Sequence, residues 1–121
     1  MFVKKRLTNY FNNNSYSTGS PGGITLSFGM AFYYTYVLKS KKDNKLYYGY
    51  TKNLKLRIEQ HNKGKVESTK RRRPLELIYF EGCLNRSDAL KREKYFKTHY
   101  GRMFVKKRIV NYLNNNSYST G

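Results

Sequence analysis

The sequence predicts an α+β domain in which a small three-stranded antiparallel sheet is flanked by helices. The chain has 121 residues, enough for one modest hydrophobic core and too few for a second large one. Its middle part alternates between short runs rich in tyrosine and β-branched residues and capped runs with helical spacing. Their order of strand, strand, helix, strand, helix and helix is typical of α+β domains.

The first two predicted strands form a hairpin. Tyr33 to Lys39 and Leu46 to Thr51 carry the aromatic and β-branched residues that favour strands. Between them, the dipeptide Asp43-Asn44 has the turn-forming character of a two-residue loop.

This hairpin predicts a common face for two tyrosines. With a two-residue loop, paired positions have numbers whose sum is odd, and paired residues point to the same side of the sheet. Tyr36 and Tyr47 are therefore expected on one face. Gly49, two residues beyond Tyr47, leaves space there for a ligand or a closely approaching helix.

The next elements are a helix and a third strand. Asn53 is a suitable N-cap for the first helix, and Gly64 lies just beyond its expected end. The third strand is predicted from Leu75 to Cys83, directly after Pro74.

Two further helices complete the domain. Ser87 is expected to cap a second helix that runs to about Tyr100. Gly101 is then expected to separate it from a last, basic helix that starts near Arg102.

The chain also contains a duplication. Met1 to Gly19 and Met103 to Gly121 differ at three positions only. We therefore expect a duplicated basic segment with a flexible linker at 1–30, the working domain at 31–113 and a polar, fraying tail at 114–121. The first copy could dock where the last helix docks, within the chain or in a homodimer that exchanges tails.

Composition restricts the function classes. Lys and Arg number 25 against 7 Asp and Glu, and the resulting net charge of +18 favours a nucleic-acid partner, although ribosomal proteins are equally basic. The single Cys83 allows no internal disulfide, and no paired-cysteine zinc motif is present. No apolar stretch approaches the roughly 20 residues that span a bilayer. We expect a soluble, cytoplasmic protein.

Three polar residues on the predicted helices suggest a site. Arg57 and His61 are four residues apart on one helix face, and both are groups that handle phosphate. Glu93 has apolar neighbours at helical spacing, so it is expected on a buried face. A carboxylate there needs a bound cation or an arginine partner.

These residues lie in a pattern that resembles the GIY-YIG endonuclease domain. The eleven-residue step from Tyr36 to Tyr47, the ten-residue step to Arg57 and the later Glu93 agree with that family in order and spacing. The resemblance covers nearly all of Tyr33 to Ile109 and extends to small stand-alone bacterial members related to the UvrC nuclease module. The motifs that carry it are Tyr34-Thr35-Tyr36, Tyr47-Tyr48-Gly49, Asn53-Leu54-x-x-Arg57-x-x-x-His61-Asn62 and Ala89-Leu90-Lys91-Arg92-Glu93.

The resemblance implies hydrolysis of DNA phosphodiester bonds by in-line attack of water with one divalent metal ion. Glu93 would hold Mg²⁺ or Mn²⁺, and Arg57 would stabilise the charge that develops on the phosphate oxygens. Tyr47 would orient or deprotonate the water, unless the metal ion generates hydroxide itself. Tyr36 and His61 would position the water and the phosphate.

A group of basic residues is expected to contact backbone phosphates without sequence preference. Its alternative role is to keep the protein in solution. The group comprises Lys70, Arg71, Arg72, Arg73, Lys91 and Arg92.

Two other functions compete with the nuclease. One is a nucleic-acid-binding module of the same fold that no longer cuts, but Arg57 and Glu93 are both present. The other is a ribosome-associated or RNA-binding protein, which explains the charge but not the agreement of the tyrosine, arginine and glutamate spacing. RNA as substrate stays open.

Overall fold

The computed structural model describes residues 31–120, with their side chains as far as residue 115. These residues form a three-stranded antiparallel sheet with four α-helices, which confirms the predicted α+β class. In chain order the elements are β1 (Tyr33–Ser40), β2 (Leu46–Thr51), α1 (Leu54–Asn62), a 3₁₀ turn (Lys70–Arg72), β3 (Leu75–Cys83), α2 (Arg86–Phe96), α3 (His99–Arg108) and α4 (Val110–Thr120).

The sheet has β1 at its centre, between β2 and β3. Tyr36 in the middle of β1 pairs with Gly49 of β2 on one side and with Phe80 of β3 on the other. Strand β1 is buried along most of its length because helices cover both faces of the sheet. Its side chains therefore contribute to a hydrophobic core on each face of the sheet.

The loop of the hairpin is longer than predicted. Ser40 and Lys45 close it through a backbone N–H···O bond of 3.0 Å, so four residues, 41–44, form the loop rather than Asp43-Asn44 alone. The Ser40 hydroxyl accepts hydrogen bonds from the backbone of the turn, and Asn44 adopts a positive φ of 62°. The two-residue prediction is wrong because the sequence does not show this side-chain cap.

The strand register nevertheless confirms the common face of the two tyrosines. Tyr34 pairs with Thr51 and Leu38 with Tyr47, so sums of paired positions remain odd. The longer loop shifts the register by two residues, and a shift of two keeps every side chain on its face. Tyr36 and Tyr47 accordingly lie on the same side.

One hydrophobic core lies on each face of the sheet. On the first face, α1 packs against the strands, and the buried residues are Tyr34, Tyr36, Leu38, Leu54, Ile58, Leu75 and Leu77. On the second face, residues of the C-terminal helices pack against the strands, and the buried residues are Val37, Tyr48, Ile78, Phe96 and Val105.

The ends of the first two helices are set by asparagines. The Asn53 side chain accepts a hydrogen bond from the Leu56 backbone N–H at 3.1 Å, which confirms it as the N-cap of α1. Gly64 beyond the helix has a φ of +77°, a conformation that glycine adopts without strain. For α2, the prediction of Ser87 is wrong, because Asn85 caps the helix by accepting from the Asp88 N–H at 3.1 Å.

The corner between α2 and α3 also differs from the prediction. Helix α2 ends at Phe96 rather than near Tyr100, and Thr98 caps α3 by accepting from the Gly101 N–H at 3.1 Å. Gly101 therefore lies inside α3 and does not separate two helices. It is a glycine because its Cα approaches the backbone of Tyr95 at the end of α2.

The C-terminal part of the duplication is helical. Helix α4 continues to Thr120, within the stretch predicted to be a polar tail. The first copy, at 1–19, falls outside the described residues. Among the described helices, none has the length and apolar character required to cross a membrane.

The close approach at Gly101 predicts a large loss of stability for Gly101→Ala. An added Cβ would overlap the carbonyl oxygen of Tyr95, a backbone atom that cannot rotate away. We expect the free energy of unfolding to fall by about 3 kcal/mol, at the upper end of overpacking costs, as measured by urea denaturation.

Gly82→Ala is the matched control, because its added Cβ would meet only the side chains of Phe32 and Tyr34, at 3.2 Å and beyond. We expect this change to alter stability by less than about 1 kcal/mol. Equal losses for the two variants would show that the α2–α3 corner tolerates a side chain.

Candidate active site

Tyr36 is the buried centre of the site. Its side chain is 0% exposed, and its ring covers Gly49 on the adjacent strand. A Cβ on Gly49 would overlap the phenol ring and its hydroxyl. The glycine predicted to leave space for a ligand or a helix thus gives that space to Tyr36.

The Tyr36 hydroxyl begins a chain of buried hydrogen bonds. It lies 2.8 Å from Nε2 of His61, near the end of α1. The other ring nitrogen of His61, Nδ1, lies 2.7 Å from the hydroxyl of Thr69. All three side chains are fully buried, so the chain ties β1, α1 and the segment before the 3₁₀ turn together.

Burial keeps this chain neutral. It raises the pKa of Tyr36 to about 12, and it lowers the pKa of His61 to about 4 with the help of the nearby Arg57 charge. A neutral imidazole donates from one nitrogen and accepts at the other. The two hydroxyls of Tyr36 and Thr69 satisfy both nitrogens, which leaves His61 no ring nitrogen for a substrate.

Tyr47 lies beside this chain but is less buried. Its ring is 5.1 Å from that of His61 and 6.4 Å from that of Tyr36, both measured between centroids. The edge-to-face arrangement with His61 fixes the direction of the Tyr47 ring. Of the two tyrosines, Tyr47 is the one with access to solvent.

Arg57 brings positive charge to the same place. Its guanidinium opposes the rise in the Tyr36 pKa and contributes to the fall in the His61 pKa. Nη1 donates to Gln60 at 3.3 Å, whereas the buried Nε has no hydrogen-bond partner among the described residues. A buried donor left unpaired costs about 1–3 kcal/mol, which an anion at this position would recover.

Glu93 approaches from α2, the helix on the other face of the sheet. Its carboxylate contributes to raising the pKa of Tyr36, so it acts on the same group as Arg57 and Tyr47. The side chain is 22% exposed and pairs with Lys97 at 3.2 Å. Of the apolar neighbours expected around Glu93 at helical spacing, Ala89 and Phe96 are buried. Tyr100 was also expected on this face, but it belongs to α3 and is 73% exposed.

A metal ion would depend on Glu93. No cluster of three or more histidine, cysteine or acidic side chains in the described part of the chain could hold one. Mg²⁺ commonly binds proteins through one or two carboxylates and keeps several waters, so a single partly exposed glutamate fits this ion. A fully dehydrated, all-protein metal cage does not fit.

Two of the predicted phosphate-binding arginines have intramolecular partners. Arg92 makes two hydrogen bonds to the Glu81 carboxylate, at 2.8 and 3.1 Å, and its guanidinium lies 4.6 Å from the ring centroid of Phe104. Arg72 pairs with Asp43 of the hairpin loop at 3.4 Å. These contacts stabilise the fold, and a role of the two arginines in binding nucleic acid stays a prediction.

The other members of that group remain at the surface. Lys70 pairs with Glu67 at 2.7 Å, and the Nε atom of Arg73 donates to the Lys70 carbonyl at 2.8 Å. Arg71 and Lys91 are exposed. These four residues keep their predicted role as a proposal.

Thr69 is the site residue that the sequence did not reveal. It precedes a run of basic residues, in a segment that has the composition of an ordinary polar loop. Its burial results from the path of the chain between α1 and β3, which places it against His61. No periodic pattern in the sequence encodes that path.

Comparison with known proteins identifies the family of the chain. Residues 32–108 match the family model described as the GIY-YIG catalytic domain. The matched segment contains the five predicted site residues, Tyr36, Tyr47, Arg57, His61 and Glu93, and also Thr69.

Similar proteins occur in species of Pediococcus and Staphylococcus. A UPF0213 protein of Pediococcus pentosaceus is 53% identical over 66 residues, which cover 54% of this chain and 68% of that protein. A UPF0213 protein of Staphylococcus haemolyticus is 49% identical over 70 residues, or 57% of this chain and 84% of that protein. No solved structure matches the chain.

The neutral state of His61 predicts a pH dependence of stability. Its pKa is about 4 in the folded protein and near 6.5 when unfolded, so the unfolded chain binds the additional proton. This contribution to stability is complete above pH 6.5 and is lost as the pH falls towards 4. We expect a loss of about 3 kcal/mol across that window, measured by urea unfolding.

His61→Gln is the control, since an amide can bond to both hydroxyls but does not titrate. The variant should lose stability less steeply over the same pH range, whatever its absolute stability. Parallel pH curves for the two proteins would mean that His61 does not carry the effect.

Proposed function

The chain belongs to the GIY-YIG family, and we propose that it is a divalent-metal-dependent endonuclease that hydrolyses DNA phosphodiester bonds. The observation that carries this proposal is that residues 32–108 match the GIY-YIG catalytic domain and that, within them, Tyr36, Tyr47 and His61 lie in contact with one another. A guanidinium, a phenol and a carboxylate around one buried group suit in-line attack of water on a phosphate.

Arg57 would stabilise the charge that develops on the phosphate oxygens. Its buried Nε is an unused donor, and a guanidinium presents several N–H groups in a fixed plane to oxygen atoms. Such an interaction is strongest when water is excluded, as on the partly buried side of α1.

The two tyrosines would have different tasks. Tyr36 has a pKa of about 12 and a hydroxyl within hydrogen-bonding distance of His61, so it stays protonated and positions its neighbours. Tyr47 is the accessible phenol, and we assign to it the orientation of the attacking water. His61 then acts through Tyr36 and has no contact of its own with the phosphate.

Glu93 would hold Mg²⁺ or Mn²⁺ together with water molecules and a substrate oxygen. Its carboxylate pairs with the Lys97 ammonium at 3.2 Å, and the divalent ion would take the place of that contact. When bound, the divalent ion would add positive charge against the phosphate oxygens. Arg57 would supply further positive charge from the protein.

A plasmid-nicking assay with Mg²⁺ tests the proposal. We expect wild type to convert supercoiled DNA to open circles, and Arg57→Ala to be slower by about 10²–10³, the usual cost of losing one oxyanion donor. Glu93→Ala should lose activity that added Mg²⁺ does not restore. Tyr47→Phe should also be impaired.

Matched variants separate chemistry from loss of charge. Glu59→Ala removes an exposed carboxylate of α1 and should nick at the wild-type rate. Arg57→Lys keeps the charge but loses the planar donors, so it should remain well below wild type. If wild type binds DNA but never nicks it, the chain is a binding module; if Glu93→Ala matches wild type, the assignment of the carboxylate is wrong.

A further inference from the structure

A basic groove lies between the hairpin loop and the α2–α3 corner. It has a volume of about 470 Å³, within the roughly 300–1,000 Å³ typical of ligand sites. None of the predicted site residues lines it. Its lining residues are Asn44, Lys45, Leu46, Tyr48, Lys97, Arg102 and Lys106.

Four of those seven residues are cations from three separate elements. Lys45 precedes β2, Lys97 caps the end of α2, and Arg102 and Lys106 are one turn apart on α3. No acidic residue is among the lining residues. Like charges that converge on one groove repel each other, and a bound anion would remove that repulsion.

Two residues that line the groove, Arg102 and Tyr48, are held in place by contacts within the fold. Arg102 donates two hydrogen bonds, from Nε and Nη2, to the Lys97 carbonyl at 3.2 and 2.7 Å. Tyr48 is buried against Phe96, and the Arg102 charge lowers the otherwise raised pKa of its phenol. The cations at the corner therefore stand on a fixed part of the fold.

Lys45 and Lys106 have no ion-pair partner among the described residues and are therefore available to a ligand. Within the part of the chain that the structure describes, the amines of Lys45 and Lys106 have no carboxylate within ion-pair distance. Exposed lysines of this kind bind phosphate as flexible point charges. Arg102, by contrast, already donates hydrogen bonds to the Lys97 carbonyl at the α2–α3 corner.

The groove is connected to the proposed active site through Lys97. This lysine lines the groove and also pairs with Glu93, four residues earlier on the same helix. Four residues of helix correspond to about 6 Å, and one strand of a duplex carries a phosphate about every 3.4 Å along its axis. The groove thus begins within a few phosphates of the carboxylate.

We propose that this groove binds backbone phosphates of the DNA strand next to the bond that is cut. The proposal rests on the proposed nuclease function. It adds that the bound DNA strand runs from the active site towards the hairpin loop. Phosphate contacts fix the register of a strand without reading its sequence. Lys45 and Lys106 make the contacts, and Lys97 joins the groove to Glu93.

Binding measured without divalent ions tests the groove separately from cleavage. A fluorescein-labelled DNA duplex is titrated with wild type, Lys45→Ala/Lys106→Ala and the control Lys63→Ala/Lys65→Ala at several salt concentrations in EDTA. The control removes the same charge from exposed residues after α1. Melting of each variant confirms folding, and the groove variant should be no less stable, because it loses like-charge repulsion.

We expect the groove variant to bind at least about tenfold more weakly at 0.1 M salt, and its salt slope to fall by about 2, close to 0.9 for each lost phosphate contact. The control should keep most of the slope. If both double variants behave alike, the effect is net charge only and the groove proposal is wrong.

Two further measurements, plasmid nicking and calorimetry, separate the remaining outcomes. If wild type fails to nick plasmid but the groove variant still shows the specific loss of binding, the groove stands and the proposed catalytic function fails. If calorimetry with inorganic phosphate detects binding that needs Lys45 and Lys106 while DNA binding is unchanged, the groove holds a free anion and the DNA-strand proposal is overturned.

Discussion

The hydrogen bond between the Tyr36 hydroxyl and His61 determines the shape of the candidate site. It joins the central strand to α1 across 25 residues of sequence, and the second bond of His61, to Thr69, adds the segment before β3. The ring of Tyr36 can lie in this position only because Gly49 opposite has no side chain. A buried polar chain is stable only when each member has a partner, so these four residues depend on one another.

The charged residues of the site are arranged around this neutral centre. Arg57 comes from the helix on one face of the sheet and Glu93 from the helix on the other, yet both influence the ionisation of Tyr36. In the proposed nuclease, Arg57 would bind the phosphate and Glu93 the divalent cation. The sheet, which carries Tyr36 and Tyr47 on one face, fixes the distance between the two helices.

Much of this architecture could be predicted from the sequence, and the exceptions have physical reasons. Alternation in the strands fixes the faces of Tyr36 and Tyr47 even though the loop length was wrong, because a register shift of two residues preserves the face. Asn53 was identified because N-capping is local. Gly101 was misread because its small size serves a tertiary contact with Tyr95, and local signals cannot distinguish that from a helix break.

Charge was the least informative signal about individual residues. Arg72 and Arg92 belong to runs of basic residues, but their guanidinium groups bind Asp43 and Glu81 within the fold. The groove residues Lys45 and Lys106 lie far apart in the sequence and come together only through the hairpin and the α2–α3 corner. A net charge of +18 thus favours an anionic partner, while the fold decides which cations are available to it.

The account depends most directly on a neutral His61 held between two hydroxyls. A long-range ¹H–¹⁵N NMR titration of the imidazole measures this state without any substrate or metal ion. The structure predicts a single neutral tautomer, with one ring N–H protected from exchange and the other ring nitrogen unprotonated down to about pH 4. A ring that titrates near 6.5, the value of an exposed histidine, with rapidly averaging tautomers would contradict the buried chain on which the proposed site is built.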